Sequence, residues 1–267
     1  MIKQKLHSFS KVTRLAAVAM TFAVLVGQAS VQAADAAKPE DKGWETIGSA
    51  GLTLTRGNSK NLLATLGVDS VRKWSKDEAL LGAKVAYGNT TVDGEKNTTQ
   101  HDIKGYGQYN HLFTERAYGG LRADGLYDKV AAINYRFTVS PLAGYYFIKE
   151  KNTMLAGEAG PSFISEEVEF RRPGENRVDE NSYVGLRLGE RFEHKFASGA
   201  KVWQNAEWIP QITDFENWIL NAEIGVSAPI TKKLDARLVL QDTYDNVPAP
   251  GRQKNDMKLI AGLGYKF

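Results

Sequence analysis

The last twelve residues, Asp256-Met-Lys-Leu-Ile-Ala-Gly-Leu-Gly-Tyr-Lys-Phe267, decide how the chain is read. Met257, Leu259, Ala261, Leu263, Tyr265 and Phe267 fall at alternate positions, with Lys258, Ile260, Gly262, Gly264 and Lys266 between them. A period of two puts the first set on one face of a β-strand and the second on the other. One face is apolar and ends in an aromatic pair, while the other is mostly small or charged.

The same pattern recurs upstream. From residue 45 onward the chain divides into twelve alternating spans: 45–56, 60–73, 78–91, 98–112, 116–128, 134–148, 153–169, 181–196, 200–212, 217–229, 234–246 and 256–267. Each is long enough to cross a bilayer as a tilted strand, which takes about 9–11 residues. Trp218, Leu220, Ala222, Ile224, Val226 and Ala228 share one face of their span, and Tyr135, Phe137, Val139, Pro141, Ala143, Tyr145 and Phe147 share one face of theirs. Val184, Leu186 and Leu188 oppose Arg187, Gly189 and Arg191. The pattern predicts an all-β fold, a single transmembrane up-and-down antiparallel β-barrel of about twelve strands over residues 44–267.

The connections offer a second test. A barrel with both ends on the inner side alternates short inner turns with longer outer loops. The segments 75–77, 114–115, 149–152, 197–199 and 231–233 are tight, whereas 92–97, 129–133, 170–180 and 247–255 are longer. The first connection, 57–59, is an exception and 213–216 is intermediate. Aromatic residues gather near span ends: Trp74, Phe113, Tyr146, Phe196, Tyr265 and Phe267 towards the inner side, and Tyr127, Tyr135, Trp208, Phe215 and Trp218 towards the outer, as interfacial girdles do. Simple alternation points Glu190 outward, so a bulge near Gly189 is expected to turn it inward. Pro141 and Pro161 cannot donate to a ladder, and a bulge or kink is expected in their hairpin, with Pro141 opposite Gly160.

The N-terminus reads as an export signal. Lys3, Lys5, Lys11 and Arg14 precede an apolar run over 15–26, too short to span a bilayer comfortably, and Val31-Gln32-Ala33 places small residues where a signal peptidase reads. Cleavage is expected after Ala33, with 34–43 a flexible arm. The full chain holds 34 Lys and Arg against 31 Asp and Glu. The leader carries four of those bases and no acid, which leaves 30 against 31 and removes any case for a nucleic-acid partner. The chain has no cysteine, which excludes disulfides and thiolate metal sites.

The closing strand resembles that of bacterial outer-membrane β-barrels, which commonly end in an aromatic residue read by the assembly machinery. On that resemblance Leu263, Tyr265 and Phe267 form a C-terminal assembly signal. The opening hairpin, Gly48-Ser-Ala-Gly-Leu-Thr-Leu-Thr-Arg-Gly-Asn-Ser59, and the Leu263-Gly-Tyr-Lys-Phe267 ending together resemble a domain-of-unknown-function family whose members are described as salt-induced outer membrane proteins. The resemblance covers about 44–267. It implies an outer-membrane barrel, with outer-membrane lipids and the barrel assembly machinery as partners, a link to salt or osmotic stress, and no catalytic residue.

By alternation the lumen receives Asp69, Lys73, Lys84, Asp102, Lys104, Arg122, Asp124, Asp128, Arg136, Glu158, Glu166, Arg187, Arg191, Glu193, Glu207, Glu223, Asp235, Arg237, Lys258 and Lys266, ten of each sign. Strong ion selectivity needs an excess of one sign at a constriction. A balanced set points to a braced interior, or to a narrow and weakly selective pore for small polar solutes or ions. Two other classes compete. Some outer-membrane barrels are lipid-modifying hydrolases, and a nucleophile here would need one of His101, His111 or His194 as its base. The sequence contains no Gly-x-Ser-x-Gly elbow and no zinc-binding spacing, so the expectation is no enzyme, no cofactor and no metal. A soluble periplasmic β-barrel binding protein would turn its charged face outward, the reverse of this assignment.

Overall fold

The computed structural model describes residues 43–267, apart from 57–58, 93 and 173–174. The expected leader and residues 34–42 of the arm lie outside the described residues. Twelve strands follow one another: β1 (Trp44–Arg56), β2 (Ser59–Trp74), β3 (Asp77–Val92), β4 (Glu95–Leu112), β5 (Ala117–Asp128), β6 (Ile133–Lys149), β7 (Thr153–Arg172), β8 (Glu175–Lys195), β9 (Lys201–Gln211), β10 (Asp214–Pro229), β11 (Leu234–Asp245) and β12 (Asn255–Lys266). Each pairs antiparallel with its sequence neighbours, and β12 returns to β1 to close the barrel.

The stagger sets the geometry. Perpendicular to the strands, the register runs from Gly51 through Thr65, Ala86, Asp102, Asp128, Ile133 and Val168 to Asp179 in β8. In the other direction it runs from Gly51 through Gly262, Arg237, Ser227 and Lys201 to Lys195, also in β8. The offset is sixteen positions, 195 less 179. With a rise of about 3.3 Å and a strand spacing of about 4.8 Å, that stagger tilts twelve strands by roughly 40–45°.

The outward faces carry exposed Leu52, Leu54, Leu66, Phe137, Phe147, Phe163, Leu259 and Leu263, while Asp102, Gln108, Asn110, Glu158, Arg187 and Asp235 are buried inside. A soluble barrel would be the reverse of this. Phe113, Phe196, Tyr265 and Phe267 project at the inner rim. Near the outer rim Trp218 stacks on Tyr244 at 4.9 Å, and His101 lies edge-on between Tyr87 and Tyr127. Tyr146 does not belong to the girdle. It lies on the same face of β6 as Arg136 and is buried, its ring tilted against that of Tyr118 with centroids 5.1 Å apart.

The sorting of loops by length does not hold. Segments 92–97 and 170–180 are not loops, because β3–β4 and β7–β8 continue as hairpins to Val92↔Glu95 and Arg172↔Glu175. Ladder hydrogen bonds remain available beyond the apolar band, and polar side chains tolerate either face in water. The long connection that remains is 246–254.

Glu190 is not turned inward. The β7–β8 register runs unbroken through Gly157↔Glu190 and Glu158↔Gly189, and the β8–β9 register likewise shows no bulge there. The carboxylate stays on the outward face and accepts a hydrogen bond from Gln204 Nε2 at 3.3 Å. At the prolines, pairing is interrupted between Val139↔Phe163 and Ala143↔Ala159 with no change of register, so Pro141 stands opposite Pro161 rather than Gly160. On the inner face Ser140 Oγ and Ser162 Oγ bridge that gap at 2.5 Å.

The charged lumen as candidate functional site

Two families of inward side chains divide the lumen. One is built on β5–β9 around arginine. Glu158 in β7 is fully buried and accepts from Arg187 Nη1 at 2.9 Å, Gln108 Nε2 at 2.8 Å and the Tyr118 hydroxyl at 2.8 Å. Arg191 Nη2 lies 3.1 Å from its other flank. Arg187 turns its Nε to Glu207 at 2.5 Å. Arg122 grips Asp124 through Nε at 2.9 Å and Nη2 at 2.6 Å, and its guanidinium lies over the Tyr106 ring. Arg136 holds Glu166 at 2.5 Å and Asp245 at 3.1 Å. A planar guanidinium can satisfy two carboxylates at once, so Arg136 and Arg187 each tie two other strands to their own.

Beneath this network Tyr118 and Tyr146 pack with Leu112, Leu142 and Ala156. The Tyr146 hydroxyl donates to Glu78 at 2.5 Å, and Asn110 Nδ2 approaches the same carboxylate. Gly144 leaves the space the Tyr118 ring fills, since a Cβ there would lie 2.2 Å from it.

The other family is built on β10–β12 and β1–β4 around lysine. Lys84 meets Glu223 at 2.7 Å, and Glu223 also accepts from Trp203 Nε1 and Gln241 Nε2. Lys258 meets Asp102 at 2.7 Å and lies 3.6 Å from Asp256, which Gln100 also approaches. Lys266 meets Asp235 at 3.0 Å near the inner rim. Lys104 and Arg237 differ from these. Among the described residues neither has a carboxylate within ion-pair distance, although both are in the fields of nearby acids. Arg237 lies towards the Trp203 ring, with its Nε buried and unpartnered.

Several of these pairs cross the lumen. Lys84–Glu223 joins β3 to β10, Lys258–Asp102 joins β12 to β4, and Arg136–Asp245 joins β6 to β11. The partners sit four or five strands apart around the ring. A circular barrel of this stagger would hold such strands roughly 20 Å apart. A lysine or arginine and its acid span at most about 15 Å between Cα atoms. The cross-section is therefore flattened, with β3–β6 facing β9–β12 and the ion pairs acting as struts.

All twelve charged residues singled out from the sequence, Lys84, Lys104, Arg122, Asp124, Arg136, Glu158, Arg187, Arg191, Glu207, Glu223, Arg237 and Lys258, lie on inward faces, and ten of them join the two networks. Glu78, Asp245 and Asp256 were missed as partners, though each shares the parity of a selected residue on its strand: Lys84, Arg237 and Lys258 respectively. Gln108, Tyr118 and Tyr146 were missed because uncharged residues were not sought. The three strand histidines all face outward. His111 pairs with Asp77 at 2.8 Å and His194 with Thr153 at 2.9 Å, at separate places on the rim. Leu263, Tyr265 and Phe267 lie exposed on the outward face of the closing strand.

A closed antiparallel barrel with an apolar exterior and a charged, strutted interior defines the transmembrane β-barrel class. Within it, the chain belongs to the family described as "Protein of unknown function, DUF481", which matches residues 48–267. No curated protein matches it in sequence. Similar solved structures include the NanC porin, at 7% identity and TM-score 0.49 over 84% of this chain and 100% of that one. An outer membrane channel from Pseudomonas putida F1 is 12% identical, with TM-score 0.44 over 89% and 100%. The translocator domain of the autotransporter NalP from Neisseria meningitidis is 11% identical, with TM-score 0.44 over 84% and 87%.

Proposed function

We propose that this protein is a non-enzymatic barrel of the bacterial outer membrane, exported by its N-terminal leader and inserted through its C-terminal assembly signal. Its lumen is at most a narrow, weakly selective passage for small polar solutes or ions. The observation that carries this reading is the set of struts across the lumen. Apart from Lys104 and Arg237, the singled-out bases are each held by an acid, so among the described residues no ring of one sign is seen that would select an ion. Side chains spanning a flattened barrel also occupy the path that a wide pore would need. The apolar outward faces support the membrane location, since burying them in hydrocarbon costs nothing and exposing them to water is unfavourable.

Planar-bilayer recordings of the purified protein test this. Small current steps with near-equal permeability to potassium and chloride are expected. Large steps, or a reversal potential close to that of one ion, would overturn it, and no steps at all would leave the envelope role alone. The link to salt or osmotic stress belongs to the same proposal. Transcript and protein levels after a rise in sodium chloride test that part separately.

A further inference from the structure

The closing strand closes only half of the barrel. β1 and β12 pair from Ile47↔Lys266 to Gly51↔Gly262 and no further, although β1 continues to Arg56 and β12 begins at Asn255. Each keeps its other neighbour throughout: β1 pairs with β2 to Arg56↔Lys60, and β12 with β11 to Tyr244↔Asn255. Two strand edges therefore face each other unpaired, residues 52–56 against 255–261, in the outer half of the wall. The last pair explains where the seam stops. A Cβ on Gly262 would lie 2.3 Å from the Ala50 carbonyl oxygen, and one on Gly51 would lie 2.7 Å from Ile260 Cγ2. The strands cross at their closest on two glycines and separate above them.

A cleft of about 380 Å³ occupies the separation. Leu62, Leu63, Met257 and Leu259 form its apolar part, while Thr53, Asn61, Thr90, Thr99 and Gln100 supply neutral hydrogen-bonding groups and Lys258 closes its inner end. A lipid-exposed sheet edge is costly in hydrocarbon because its backbone N–H and C=O groups lack partners. Small-molecule sites have volumes of this order. The charge at the inner end is already balanced, since Lys258 is held by Asp102.

We propose that the outer half of the β1–β12 seam is a lateral portal that admits a single-chain, uncharged amphiphile between the outer leaflet and the lumen. The alkyl chain lies along Leu62, Met257 and Leu259. A hydroxyl or amide head bonds the open strand edges and the Asn61, Thr90 and Gln100 side chains. The neutral polar lining and the paired state of Lys258 favour an uncharged head over an anionic one.

This inference rests on the membrane reading, and its test separates the two. The chain lacks cysteine, so disulfide trapping is clean. In proteoliposomes the pair Ala50→Cys/Leu263→Cys, in the zipped half, is expected to cross-link on oxidation. Leu54→Cys/Leu259→Cys, which would be partners if pairing continued, is expected to stay reduced but to be joined by a longer bis-maleimide. A diazirine-bearing monoacylglycerol is expected to label Leu62, Met257 and Leu259 several-fold more than Phe137 and Leu121, and the excess at Leu62 and Met257 should vanish once the bis-maleimide staple is in place. Equal oxidation of the two cysteine pairs, or even labelling around the barrel, would overturn the portal. A labelling excess equally strong with the matching fatty acid would overturn the choice of an uncharged head. Loss of the boiling-dependent shift in gel mobility in the unmodified protein would instead overturn the barrel in the membrane.

Discussion

The arginine half and the lysine half of the lumen do the same electrostatic task by different means. In the arginine half, Glu158 is fully buried and held by two guanidinium groups, a glutamine and a tyrosine. In the lysine half, Lys84 keeps 36% of its side chain exposed and Lys266 keeps 41%. A guanidinium forks, stacks and loses little hydration on burial, whereas an ammonium is a strongly hydrated point charge. The arginine half is thus a dry structural wall, while the lysine half is wetter at Lys84 and Lys266 and dry only where Lys258 meets Asp102. The unzipped seam lies on the lysine side, where fewer side chains tie neighbouring strands together.

The sharpest way to break this comparison is Glu158→Leu. It leaves Arg187 and Arg191 facing each other without their shared acid, and removing one partner of a buried ion network costs about 3–5 kcal/mol. Unfolding in urea from detergent micelles should show a large drop in midpoint, and an unchanged midpoint would mean that the arginine half is not a structural wall. Gly144→Ala presses a methyl group into the Tyr118 ring. Overpacking of that kind costs about 1–3 kcal/mol, read in the same assay. Gly105→Ala, where the nearest atom is 3.6 Å from the new methyl group, is the matched control and should be neutral.

Two smaller effects sharpen the contrast. Ser162→Ala removes the tie that spans the proline gap, for about 1 kcal/mol, and should speed amide exchange at Ser140, Leu142, Gly160 and the substituted position 162. Lys84→Met breaks a partly hydrated strut and should cost less than about 1 kcal/mol. Its effect belongs to transport instead. Glu223 then stands with only neutral partners, so the reversal potential should move towards that of potassium and single-channel current should rise. If Lys84→Met destabilises the barrel as much as Glu158→Leu does, the two halves are not distinct.

Much of the fold is legible in the sequence because a strand's alternation is a local property. The twelve spans, the outward faces of β6, β10 and β12, and the inward selection of Glu158 and Arg187 all follow from counting by two. The failures have local causes as well. Tyr146 was assigned by its nearness to a strand end, although its parity with Arg136 puts it inside. Glu190 was expected to escape lipid through a bulge, but the unbroken register keeps it outward, where Gln204 offers one hydrogen bond. Segment 170–180 reads as a polar loop because, beyond the membrane, nothing in composition separates a ribbon in water from a turn.

By itself, then, the sequence determined a membrane-type β-barrel, its strand count and the inward side of the twelve charges singled out, since these depend on spacing along one chain. Only the tertiary structure decided which charges meet. The union of Lys84 with Glu223, or Arg136 with Asp245, depends on a sixteen-position stagger accumulated over every strand pair and on the flattening that stagger permits. The half-closed seam is of the same kind. Met257 to Phe267 carry an unbroken alternation from end to end, yet whether β12 meets β1 along its whole length is settled at Gly51 and Gly262, where two backbones cross too closely for any side chain.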